Sequence, residues 1–147
     1  MPAFLSSDPP PASEVREYLL DGALFDERPT ITIHDGADGT FERMELRYSA
    51  AKSPITLQRL RGEDADAALG EAIELAIRCG GDDIAVVLER CAIVLEWEVD
   101  RAQLDSDAWM ALHLWQAYVL GPSGGWLHAP DDGLFDSALQ RCLPAQQ

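Results

Sequence analysis

The sequence predicts an α+β fold: an antiparallel three-strand meander, extended by one or two further strands and packed against two to three helices. Three observations carry this. Between residues 30 and 58, apolar and polar side chains alternate in short runs broken by turn residues, as in successive antiparallel strands. Residues 63–79 repeat apolar side chains at helical spacing. Residues 106–120 form a second helical stretch whose apolar positions wrap most of the circumference. A chain of 147 residues suits one domain. The expected division is a flexible arm over 1–12 and a single globular α+β domain over 13–147.

The arm holds four prolines, with only Phe4 and Leu5 as large apolar side chains. Ser13 is placed to cap a first helix to about Asp21, with Val15, Tyr18 and Leu19 on one face and Gly22 as the stop. Ile31 and Ile33 then alternate with Thr30, Thr32 and His34 as a strand. Asp35 to Gly39 is turn chemistry. In the next strand Met44, Leu46 and Tyr48 share one face, and Arg43, Glu45 and Arg47 the other. Phe41 breaks that parity, which predicts a bulge near Glu42. Ser53-Pro54 turns the chain into a third strand at Ile55 and Leu57.

The helix over 63–79 carries Ala65, Leu69, Ala72, Ala76 and Cys79 on one face. Acids sit in its first turn and Arg78 in its last, matching the helix dipole. Residues 84–89 fit helix or strand. Residues 92–99 are aromatic and β-branched, which favours strand. Ser106 or Asp105 caps the last helix, with Gly121-Pro122 as its stop. Such an apolar helix is either central in the fold or covered on one face by another chain. Pro122 to Pro130 reads as a loop, and 134–142 as a short strand or helix.

Composition bounds the function classes. The net charge of −15 argues against nucleic acid or an anionic membrane as partner and is compatible with a basic protein. The charge is unevenly laid out: net −6 over 1–40, +3 over 41–61, −9 over 62–100 and −3 over 101–147. The meander is therefore a basic island in an acidic chain. Arg43 and Arg47 should face outward, paired with the chain's own carboxylates or meeting an acidic surface. No apolar run is long enough to span a bilayer. Met1 to Pro11 has neither a basic n-region nor an apolar h-region, so cytoplasmic localisation is expected. Cys79, Cys91 and Cys142 form no CxxC pair, which suggests reduced thiols rather than a disulfide framework or zinc site.

No motif specifies catalysis. HExxH, GxSxG and a phosphate loop are all absent. No catalytic residue, metal ligand or cofactor is assigned. Trp126, His128, Asp131 and Asp132 crowd one glycine- and proline-rich loop and form the first candidate contact site, since tryptophan is enriched among interface anchors. Glu96 and Glu98 share one face of the 92–99 strand and form the second; Arg43 and Arg47 form the third.

The function expected is an acidic protein-binding module that masks or inhibits a macromolecular partner, as an inhibitor, immunity protein or secretion chaperone does. The predicted order of helix, three strands, helix, one or more strands and helix, with a low pI, resembles the type III secretion chaperones; that resemblance implies masking of a protein partner. One alternative is a small enzyme without a short motif, using His128 with Asp131 and Asp132. Another is a structural homodimer subunit joined through helix 106–120.

Overall fold

Burial alternates along the first two strands of the meander and is continuous along the inner strand at the start of the chain. The computed structural model describes residues 1–22, 25, 27–36 and 41–145. Its strands are β1 (Pro2–Leu5), β2 (Thr30–Asp35), β3 (Phe41–Arg47), β4 (Ile55–Leu60), β5 (Ile93–Glu98), β6 (Trp126–Ala129), β7 (Gly133–Phe135) and β8 (Arg141–Pro144). All eight lie in one antiparallel sheet in the order β2-β3-β4-β5-β1-β6-β7-β8. The helices are α1 (Ala12–Gly22), α2 (Gly62–Arg78), α3 (Asp82–Glu89) and α4 (Ser106–Ser123). The α+β class and the meander β2-β3-β4 are as predicted. The strand count is eight rather than four or five.

Both faces of the sheet are covered over its middle. On one face Ala3, Leu5, Met44, Leu46, Leu57, Leu95 and Trp97 pack with Leu19 of α1 and Leu112 and Trp115 of α4. On the other, Phe4, Val94, Leu134 and Leu143 pack with Leu75 of α2 and Leu88 of α3. Strand parity explains this split, because successive side chains point to opposite faces. Trp97 and Trp115 meet edge to face, ring centroids 6.1 Å apart.

The expected flexible arm over 1–12 is corrected at its start. Pro2–Leu5 is an inner strand, paired with β5 from Pro2↔Glu96 to Leu5↔Ile93 and with β6 at Ala3↔Leu127 and Phe4↔Trp126. Ala3, Phe4 and Leu5 are fully buried. A strand buried on both faces shows no alternation, so its four residues carry no periodic signal. Helix α1 begins at Ala12, so Ser13 is not its cap; the N–H groups of Glu14 and Val15 donate to the Pro11 carbonyl at 3.0 and 3.2 Å.

The bulge predicted near Glu42 is present: His34 pairs with Arg43 and Asp35 with Phe41, leaving Glu42 unopposed. Ala37, Asp38 and Gly39 of the predicted turn lie outside the described residues. The ambiguous segment is helix α3, with Ala85 and Leu88 buried. Helix α4 buries one side against the sheet and α1, where Tyr118 stacks on Tyr18 at 4.4 Å, and leaves a stripe of Met110, His113 and Ala117 exposed. It also overruns its predicted stop by keeping Pro122 in its last turn. There the Ser123 hydroxyl donates to the Val119 carbonyl at 2.8 Å, and Gly124 ends the helix in the left-handed conformation. The predicted loop 122–130 contains β6, and 134–142 contributes to β7 and β8, strands too short to announce themselves by pattern.

Gly133 opens β7 with φ at 122°, and a Cβ there would lie 2.0 Å from the Leu143 carbonyl oxygen of β8. Gly133→Ala is therefore predicted to break the β7–β8 pairing and lower stability by about 2 kcal/mol or more. Urea unfolding checks this; an unchanged midpoint would refute the backbone constraint.

Candidate functional site

Strand β5 carries its side chains to two different environments. Ile93, Leu95 and Trp97 enter the core, while Val94 packs under α2 and α3 and Glu96 and Glu98 continue along the same face beyond those helices. Glu96 is partly buried and Glu98 exposed. The backbone of Met1 closes this end of the strand: its ammonium donates to the Trp97 carbonyl at 2.8 Å, and the Trp97 N–H donates back to the Met1 carbonyl at 3.0 Å. Burial holds the Met1 ammonium below its ordinary pKa, with Glu96 and Glu98 pulling in the opposite direction.

The chain after β5 builds the opposing wall. Asp100 accepts from the Ala102 N–H at 3.2 Å and starts a short 3-10 turn over Arg101–Gln103. Arg101 then reaches the tight turn between β6 and β7, donating to Asp131 and Asp132 at 3.3 Å each. Its guanidinium also lies 5.5 Å from the Trp109 ring centroid. With Asp131 83% and Arg101 46% exposed, these ion pairs add little stability and leave the charges available in water. Glu96, Glu98, Asp131 and Arg101 line one open cleft of about 400 Å³. Arginine 101 was missed from sequence. Its one signal is a lone base between two acidic stretches.

The structure separates the other candidates. His128 points away from Asp131 and Asp132. It is only 7% exposed and faces Glu71, Glu74 and Arg78 of α2 across a second cleft of about 340 Å³. Its Nδ1 has no hydrogen-bond partner among the described residues. Trp126 is partly buried and packs against the Phe4 cluster. Arg43 and Arg47 face outward from β3, as expected from parity, and share Glu45 between them at 3.7 and 3.2 Å. Arg43 also reaches a shallow cleft of about 290 Å³ that includes Glu98, which links the island to the acidic end of β5.

Cys91 is buried, and burial raises its thiol pKa; burial and then Asp136 raise that of the exposed Cys142. Neither is activated as a nucleophile. Among the described residues no group of three His, Cys, Asp or Glu side chains is placed to hold a metal ion. No helix among them is long and apolar enough to cross a membrane. Compared with known protein families, curated proteins and solved structures, the chain matches none.

Burial, the largest influence on His128, lowers its pKa below the ordinary 6.5, with Glu71 opposing. The unfolded chain then takes up the proton first. The stability that His128 contributes is present above pH 6.5 and declines as pH falls below it. The difference in unfolding free energy between the wild type and His128→Leu should shift against the wild type between pH 7 and pH 5. A pH-independent difference would show that the imidazole is solvated in the folded protein.

Proposed function

We propose that this chain is an acidic protein-binding module, of the inhibitor, immunity-protein or secretion-chaperone type, which masks a basic surface of a macromolecular partner. The observation that carries the proposal is the cleft lined by Glu96, Glu98 and Asp131. It lies where the most acidic stretch, residues 62–100 with net −9, meets the β6–β7 turn. Sheet register and a tight turn fix the backbone positions of its acids, so no backbone ordering is needed on binding. Their field would steer a basic partner and raise its association rate.

The runner-up, an enzyme using His128 with Asp131 and Asp132, finds less support, because the imidazole and the two carboxylates face different clefts. On α4 the one large apolar side chain left well exposed is Met110. We therefore favour the acidic cleft over helix 106–120 as the contact surface.

Charge reversal separates a site from a general coat of charge. Glu96→Lys with Glu98→Lys changes the net charge as much as Glu63→Lys with Asp64→Lys at the exposed start of α2. Titrated with a short lysine- and arginine-rich peptide at physiological salt, the first pair is expected to weaken binding by about tenfold or more, and the second by roughly threefold at most. The wild-type association rate should also drop as salt rises. Equal losses from both pairs would mean that the acidity acts only as a diffuse field.

A further inference from the structure

Strand β4 reads Ile55, Leu57, Arg59 along the face that packs against α1 and α4, so an arginine stands in the register of a core position. Arg59 pairs with Leu95 of β5 and is partly buried, whereas every other arginine in the chain is exposed. Among the described residues its guanidinium has no ion-pair or hydrogen-bond partner. A partly desolvated charge without a partner costs stability, so its presence asks for a compensating role.

Arg59 lines a cleft of about 350 Å³ on the opposite face of the sheet from Glu96 and Glu98. The floor is apolar, from the half-buried Ile33 and Phe41 of adjacent strands, with the fully buried Leu95 beneath them. The run Pro9–Pro11 forms one wall, and its fixed φ angles keep that wall in place without a ligand. Two carboxylates, Asp8 and Asp35, complete the lining. A cavity of this volume falls at the small end of the range for small-molecule sites, which combine an apolar wall with a few placed polar groups.

The charge pattern selects the ligand class. A simple anion would meet two carboxylates, and a simple cation would meet the guanidinium. We infer that this cleft binds a small amino acid zwitterion with an apolar side chain. Its carboxylate pairs with Arg59, its ammonium faces Asp8 and Asp35, and its side chain lies on Ile33 and Phe41. The site is independent of the acidic cleft and of the partner proposed for it.

Isothermal titration of the full chain with L-leucine and L-phenylalanine tests this. Saturable binding at one site is expected for at least one of them. N-acetyl-L-phenylalanine lacks the ammonium and L-phenylalaninamide lacks the carboxylate; each should bind about tenfold more weakly or worse than L-phenylalanine, from loss of one charge-assisted contact. Arg59→Met should weaken the parent amino acid by a similar factor and leave the amide unaffected, and Asp35→Asn should weaken the parent but not the N-acetyl compound. Circular dichroism confirms that each variant is folded. The analogue series on the unaltered chain decides the question even if a variant is not. No saturable binding of either amino acid, or equal binding of the N-acetyl compound and its parent, would overturn the assignment.

Discussion

The sheet depends on the insertion of β1 between β5 and β6. Four residues supply the inner edge of both halves, β2 to β5 on one side and β6 to β8 on the other. Without them each half would present an open strand edge, with unpaired N–H and C=O groups. Pro2 is tolerated because it is the first residue of the strand, where a missing donor does least harm. The pairings join Pro2 to Glu96 and Phe4 to Trp126, contacts far apart along the chain. Such contacts reward the chain only after large loops have closed, so the two halves should be joined late in folding.

That insertion also fixes what the helices must do. A sheet buried on both faces at its middle needs cover on both sides. Helix α4 gives the fullest cover on its face, where Ala108, Ala111, Leu112, Trp115, Val119 and Leu120 are buried against the sheet and α1. Helices α2 and α3 protect the second face from the ends of β4 and β5 across β1 and β6 to β8. Over β2 and β3 that face stays in water, with Thr30, Thr32, His34, Arg43 and Arg47 exposed.

The legibility of the sequence tracks this asymmetry. Where one face is solvated, alternation is clean: the parity of Met44, Leu46 and Tyr48 and the bulge at Glu42 could both be read in advance. Helix α2 could be read because its buried stripe is narrow. Where both faces are buried, as in Ala3, Phe4 and Leu5, the period vanishes and the prolines that follow suggest an arm. Helix α4 outlasted Gly121-Pro122 because a serine side chain and a left-handed glycine finish its last turn. For the sites, pairing Glu96 with Glu98 was legible from strand parity. Their meeting with Asp131 was not, since it depends on β1 bringing β5 and β6 to either side of itself. His128 and the two aspartates, neighbours in sequence, are parted by the alternation of the short strand β6 and the turn after it.

Net charge then has to be weighed by distance. Arg43 pairs with Gln58, and Gln58 with Glu96, so the base on β3 and the acid on β5 stand two strands apart. Two strand spacings are about 10 Å, slightly more than the Debye length of about 8 Å at physiological salt. The island therefore reaches the acids of β5 through Arg43, whose side chain shares a cleft with Glu98. Glu45, on the same strand, pairs with both Arg43 and Arg47. Near Glu96, Glu98, Asp131 and Asp132 the nearby bases are Arg101, Arg43 and the Met1 ammonium, and burial weakens the last as a cation. The acids outnumber them at short range, where screening is weakest. A net charge of −15 alone would make any basic surface a partner. Fixing the uncompensated acids on one strand and one tight turn limits the strongest attraction to a surface whose bases match that spacing.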